Sequence, residues 1–117
     1  MTIRELAKKV DAQLYLQSEE ATAEVEAVYS ASTMSDLIAH AATHTLLLTT
    51  LCSTQLIRVA ELMDAPGLCL AHPAEPRPEL LAAAARSGIP LMLSPYDLPE
   101  TRRRLEDCLI GRGAART

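Results

Sequence analysis

The residues with the clearest chemical potential lie between a continuous apolar run and the helical pattern that follows it. This segment, TTLCSTQ at residues 49–55, carries four hydroxyl groups and a carboxamide, on Thr49, Thr50, Ser53, Thr54 and Gln55. Backbone N–H groups at a helix N-terminus bind anions with the help of the helix dipole. Open α/β sheets also place ligands at the carboxyl ends of their strands. The segment therefore predicts an anion site, and the alternative is that Ser53 or Thr54 only caps the helix.

Two further sets of residues could support catalysis or metal binding. Cys52 precedes the predicted helix N-terminus, where the dipole favours a thiolate, but the sequence offers no clear histidine and acid to complete a catalytic group. Asp36, His40 and His44 are four apart and would share one face of a helix that continued far enough. The alternative is that His44 belongs to the turn before the next strand. A small enzyme or a metal-binding protein using either set is thus the rival to a non-catalytic function.

Several classes of function are disfavoured by what the sequence lacks. It contains no GxxxxGK[ST] or GxGxxG motif and only four glycines, so ATP hydrolysis or phosphoryl transfer by a P-loop is not expected. A net charge of −4 disfavours general nucleic-acid binding, which needs a basic face. Three tyrosines, with no Phe or Trp, disfavour stacking of sugars or bases. We therefore expect no enzymatic activity, no cofactor, no metal and no nucleic-acid partner.

Length and composition are those of one ordinary globular domain. The chain has 117 residues, of which 49% are hydrophobic. Its three cysteines follow no metal-binding or disulfide pattern, and no stretch approaches the roughly 18 apolar residues of a membrane span. The N-terminus lacks the apolar core of a signal peptide. These features predict a cytoplasmic protein that does not enter the membrane.

Hydrophobic periodicity and capping residues predict alternating strands and helices. The predicted helices cover residues 2–10, 33–42, 54–64, 78–87 and 99–110, and the predicted strands cover 12–16, 25–30, 45–50, 68–71 and 89–94. Alternation with short connectors from residue 45 onward is typical of βαβ units. The sequence therefore predicts an α/β layered sandwich with a mostly parallel mixed sheet flanked by helices. Residues 1–110 form its single domain, and residues 111–117 are predicted to be a disordered tail.

The order of these segments resembles the DRTGG domain, which is related to the N-terminal domain of HPr kinase. The resemblance covers roughly residues 1–110 and is carried by VEAVY at 25–29, MSDLI at 34–38, LLLTT at 46–50, QLIRVA at 55–60 and AARSGIPLML at 84–93. The Gly-Asp-Arg-Thr signature of the family would fall at residues 51–54, where this chain has Leu-Cys-Ser-Thr. This chain is most similar to the short stand-alone members of the family. These members also lack the signature and are often encoded beside hydrogenase genes.

The resemblance implies a regulatory or adaptor role rather than catalysis. It implies a homodimer, an association with redox or energy metabolism, and hydrogenase or other redox-enzyme subunits as partners. In family members fused to CBS-domain pyrophosphatases, the domain lies in an adenine-nucleotide-responsive regulatory region, so an adenine nucleotide is the first candidate ligand. The kinase activity of HPr kinase is not implied, since the P-loop domain is absent from this sequence.

Overall fold

Strands and helices alternate throughout residues 1–15 and 24–114, the part of the chain that the computed structural model describes; side chains are described as far as residue 110. The strands are β1 (Gln13–Tyr15), β2 (Ala27–Ser30), β3 (Thr45–Thr49), β4 (Leu68–Leu70) and β5 (Leu91–Leu93). The helices are α1 (Ile3–Lys9), α2 (Met34–His40), α3 (Thr54–Leu62), α4 (Pro78–Ser87) and α5 (Leu98–Ala114). Residue 16 of the predicted 12–16 strand, together with residues 17–23, lies outside the described residues.

The strands form one sheet in the order β1-β5-β4-β3-β2. Strands β2 to β5 are parallel and are joined through α2, α3 and α4, whereas β1 pairs with β5 in the antiparallel direction. This arrangement confirms the predicted α/β class and the mostly parallel mixed sheet. The βαβ pattern begins one unit earlier than the sequence indicated, because β2 and β3 are already a parallel pair.

Apolar side chains fill both faces of the sheet because alternate strand residues point to opposite sides. On one face, Leu46, Leu48, Cys69 and Met92 pack with residues of α1 and α5. On the other face, the remaining strand residues pack with α2, α3 and α4, and this cluster includes Leu47, Leu68, Leu70 and Leu91. Helices therefore cover both sides of β3 and β4, as expected for strands that read as continuous apolar runs.

The helix ends follow local side-chain chemistry. Thr2 and Glu5 form a capping box at the start of α1, and Thr33 and Ser53 cap α2 and α3. Helix α2 ends at His40, earlier than predicted, because the next residue, Ala41, is extended (ψ 133°). Helix α5 continues to Ala114, four residues beyond its predicted end. The one-domain assignment and the disordered tail stay predictions.

No helix among the described residues is long and apolar enough to cross a lipid bilayer.

Candidate functional site

The carboxyl ends of the four parallel strands lie at one edge of the sheet, which we call the carboxyl edge. Helices α2, α3, α4 and α5 begin there, after short turns that follow β2, β3, β4 and β5. The partial positive charges of four helix N-termini therefore point to this edge. The turn between β3 and α3 contains the residues that sequence analysis assigned to a ligand.

Two of these predicted ligand residues use their hydroxyl groups to shape the turn. The Thr49 side chain is fully buried, and its Oγ1 accepts a hydrogen bond from the Leu51 N–H at 3.2 Å. The Ser53 Oγ accepts one from the Gln55 N–H at 3.2 Å and caps α3. The Thr49 hydroxyl therefore lies inside the protein and fixes the backbone of the turn, rather than facing solvent. The Ser53 hydroxyl therefore caps α3, which was the alternative to ligand binding for this residue.

The backbone of the same turn keeps three donors available. Among the described residues, no group accepts a hydrogen bond from the backbone N–H of Cys52, Ser53 or Thr54. Successive amides at the start of a nine-residue helix form an arrangement that binds anions. Thr54 and Gln55 are exposed beside these amides, and Thr50 is half-buried, so the turn is open to a ligand from solvent.

A cation reaches the carboxyl edge from a distant part of the chain. Arg102, in the second turn of α5, donates from Nη1 to Ser30 Oγ at 3.1 Å. Ser30 is the last residue of β2 and pairs in register with Leu48, two residues before Thr50. The Arg102 side chain is half exposed, and its Nε also contacts Glu106 Oε1 at 3.3 Å. A surface pair of this kind contributes only about 0–1 kcal/mol, so an anion can compete for the guanidinium.

A buried hydroxyl network fixes the start of α5 and therefore the position of Arg102. Ser94 Oγ and Thr101 Oγ1 are 2.8 Å apart, and both residues are buried. The Thr101 hydroxyl donates to the Tyr96 carbonyl at 3.0 Å, and the Tyr96 N–H donates to Ser94 Oγ at 3.1 Å. Asp97 caps the helix by accepting from the Glu100 N–H at 2.9 Å. These contacts tie α5 to the end of β5.

The two arginines that follow Arg102 are committed to other partners. Arg103 and Arg104 both donate to Glu100 Oε2, at 2.6 and 2.8 Å. Arg103 also pairs with Asp107, and the Arg104 guanidinium lies 3.8 Å from the centre of the Tyr96 ring. Arg102 therefore differs from its neighbours, because its contact outside the helix is a neutral hydroxyl at a strand end.

Glu100 gives α5 a pH dependence that can be measured. Hydrogen bonds from Arg103 and Arg104 lower the pKa of its carboxyl from 4.5 to about 2. A depressed pKa means that the folded state favours the carboxylate, so its stabilisation is complete above pH 4.5 and is lost as the pH falls through about 2. We expect urea unfolding from pH 6 to pH 2 to show a smaller acid loss of stability in Glu100→Gln than in the wild type. Equal losses in the two proteins would contradict this assignment.

The alternative catalytic and metal residues are not assembled into a site. The Cys52 Sγ contacts the Thr50 carbonyl oxygen at 3.9 Å rather than a base. His40 Nδ1 contacts the Asp36 carbonyl oxygen, whereas His44 lies beyond the end of α2 and contacts Glu24 and Glu26. Asp36, His40 and His44 therefore do not share a helix face, since α2 ends at His40. No group of three metal-ligating side chains occurs within residues 1–15 and 24–110.

Of the other two cysteines, Cys69 is buried and Cys108 is half-buried. Burial raises the pKa of the Cys69 thiol to about 12. Desolvation also raises the pKa of Cys108, which lies on α5 and packs at the margin of the core. A raised pKa keeps both thiols in the less reactive protonated form near neutral pH.

Sequence analysis missed Ser30 and Arg102. Neither residue was among the candidates that the sequence offered for a ligand site. Arg58, the basic residue of α3, lines a groove between α3 and α4. The sequence shows three consecutive arginines after the last predicted strand. Only the packing of α5 against β2 in the structure shows which of them reaches a strand end.

Comparison with known proteins shows a shared fold at low sequence identity. No family model matches the sequence, and a search of curated proteins found no match. Among solved structures, the chain is similar to the CBS and DRTGG domains of the regulatory region of Clostridium perfringens pyrophosphatase, crystallised with the activator diadenosine tetraphosphate. The TM-score is 0.70 and the identity is 12%.

The match covers 89% of this chain but only 45% of the pyrophosphatase fragment. The similarity therefore extends across nearly all of the α/β domain described above. This chain spans less than half the length of the pyrophosphatase fragment. The likeness supports the DRTGG-like fold that the sequence resemblance implied. At this identity it is evidence for the fold alone.

Proposed function

We propose that this chain is a non-catalytic regulatory or adaptor domain that binds an anionic ligand at the carboxyl edge of its sheet. The observation that carries the proposal is the group of three amides at the N-terminus of α3, on Cys52, Ser53 and Thr54, for which the described residues provide no acceptor. Arg102 supplies a positive charge at the neighbouring strand end. The fold match to a regulatory region supports a regulatory rather than a catalytic role.

An adenine nucleotide is the first candidate for the ligand. The amides of the β3–α3 turn fit a phosphate group, Thr50 and Thr54 offer further hydroxyl donors, and the Gln55 carboxamide could pair with the edge of a base. The structurally similar pyrophosphatase fragment was crystallised with a nucleotide activator. Because one arginine and one turn provide the charge, we expect weak affinity, with a dissociation constant of about 1 mM, or roughly −4 kcal/mol.

The wider setting of the domain is also part of the proposal. We propose that the chain acts as a homodimer in the cytoplasm and that its partners are hydrogenase or other redox-enzyme subunits. These assignments rest on the sequence resemblance to stand-alone DRTGG-type proteins. The homodimer is the first of these assignments to be tested, by measuring whether the chain self-associates.

The anion site predicts opposite effects from two substitutions on one helix. NMR titration of isotope-labelled protein with AMP, ATP and sulfate should shift amide signals of residues 50–55. We expect Arg102→Gln to weaken binding by about tenfold, because it removes a charge-assisted hydrogen bond. Glu106→Gln should strengthen binding, because it releases Arg102 from its intrahelical pair.

Arg103→Gln is the matched control for this titration. It removes the same charge from the same helix, but Arg103 is held by Glu100 and Asp107 and does not contact a strand end. An equal loss of affinity in the Arg102 and Arg103 variants would mean that only overall charge matters. Shifts clustered elsewhere for every anion would reduce the turn to a capped helix, in which Ser53→Ala costs about 1 kcal/mol of stability and nothing else.

A further inference from the structure

An open groove runs along the outer side of α3 and α4, on the face of the sheet opposite α5. Its volume is about 860 Å³. Its apolar floor comes from Ile57, Ala82 and Ala83, and its rim carries Arg58, Glu61, Glu79 and Arg86. Leu62, which is 76% exposed, lies one helical turn after Arg58 and borders the same surface. We call this surface the α3–α4 face.

The charges on the α3–α4 face have no ion-pair partners in the part of the chain that the structure describes. Among the described residues, none of its four charged side chains lies within 4.0 Å of an opposite charge. By contrast, Arg102, Arg103 and Arg104 on α5 all pair with carboxylates of their own helix. Two positive and two negative charges are thus exposed to solvent, where a partner could pair with them.

We infer that this face binds a second copy of the chain, an inference that rests on the homodimer proposed above. Helices α3 and α4 both return from the carboxyl edge and therefore run side by side in the same direction. A two-fold axis along the groove would place α3 of each copy against α4 of the other. Only a self-complementary surface can form such an interface.

The positions of the charges meet this requirement. Because both helices start at the carboxyl edge, counting residues from each helix start approximates their height along the groove. Glu61 is the eighth residue of α3 and Arg86 the ninth of α4, so the two-fold axis would bring Glu61 of one copy opposite Arg86 of the other. Arg58 is the fifth residue of α3 and Glu79 the second of α4, an axial offset of about 4.5 Å that long side chains can span. Each basic residue therefore meets an acidic residue of the second copy, and the exposed Leu62 is covered.

The size of the face sets the expected strength of the dimer. Helices of nine and ten residues measure about 15 Å in length and together about 20 Å in width, or roughly 300 Å² in plan. This is small beside the roughly 800 Å² that each partner contributes to a standard interface. We therefore expect a concentration-dependent dimer that weakens as salt screens its charge pairs.

Charge reversal with compensation tests the interface. Light scattering and sedimentation, from low micromolar to submillimolar protein without any ligand, should show a monomer–dimer equilibrium for the wild type. Glu61→Arg or Arg86→Glu alone should raise the dimer dissociation constant by about tenfold or more, because like charges then face each other. The double variant Glu61→Arg/Arg86→Glu should restore the wild-type value. Lys8→Glu, on α1 across the sheet, is the control and should leave association unchanged.

The outcomes separate the two proposals. A wild-type chain that stays at 12.7 kDa throughout the series would overturn both the homodimer and this interface. A wild-type dimer that tolerates both single reversals would overturn the α3–α4 face alone. Loss of association in the single variants without rescue in the double variant would overturn the pairing of Glu61 with Arg86. Thr54 and Gln55 line this groove as well as the proposed anion site, so anion binding is measured separately, at protein concentrations where the chain is monomeric.

Discussion

Gly67→Ala should destabilise the fold by up to about 3 kcal/mol, at the upper end of the cost of overpacking a core. A Cβ atom at this position would lie 2.8 Å from the Pro90 carbonyl oxygen and would also collide with the Ile3 side chain. The carbonyl cannot easily withdraw, because it accepts the Leu68 N–H at 3.0 Å and so holds β4 beside β5. Urea unfolding followed by circular dichroism measures the loss.

Gly88→Ala is the matched control for this prediction. Gly88 ends α4 in the left-handed conformation, with φ 68°, and a Cβ atom there would meet nothing within 4 Å. Its replacement should therefore cost only the backbone strain of alanine in that region, about 1 kcal/mol. If Gly67→Ala proved no more costly than Gly88→Ala, the close approach at Gly67 would not constrain the fold.

Thr101→Val should destabilise the domain by about 1–3 kcal/mol, since it leaves buried polar groups without a partner. The substitution keeps the shape of the side chain but removes the hydroxyl that links Ser94 Oγ with the Tyr96 carbonyl. Thr101 is fully buried, so water cannot replace it without rearrangement. Thermal and urea unfolding should both report the change.

Thr101→Ser provides the comparison, because serine keeps the hydroxyl and loses only a methyl group. It should cost less than Thr101→Val, even though it is the change that reduces side-chain volume. The reverse order would show that packing rather than hydrogen bonding fixes the start of α5. Since the same network sets the direction of α5, Thr101→Val should also weaken any anion binding that depends on Arg102.

The fold was predictable because hydrophobic periodicity acts over short distances. Leu46, Leu47 and Leu48 read as a strand buried on both faces, and the structure places successive leucines in opposite cores. The predicted helix at 78–87 coincides with α4, which begins at Pro78 and is capped by Gly88. The β5 strand is shorter than predicted because Pro90 has no N–H and cannot donate to the ladder.

The candidate site was predictable only in part, for a physical reason. The β3–α3 turn follows from local pattern, so its hydroxyl residues could be named from sequence. Whether Thr49 faces solvent depends on the packing of α2, α3 and α4 over it, and the structure shows it buried. The contact between Ser30 and Arg102 joins residues 72 positions apart, and nothing local to either residue indicates it.

The antiparallel pairing of β1 with β5 bears on the order in which the protein folds. Gln13 pairs with Leu93, so this ladder must close a loop of about 80 residues, whereas β2 to β5 are joined by short crossovers. Loop-closure entropy delays contacts of large sequence separation. The parallel unit should therefore form first and offer β5 as an open edge, to which the N-terminal segment is added last. That segment is then also the part expected to detach first by local unfolding.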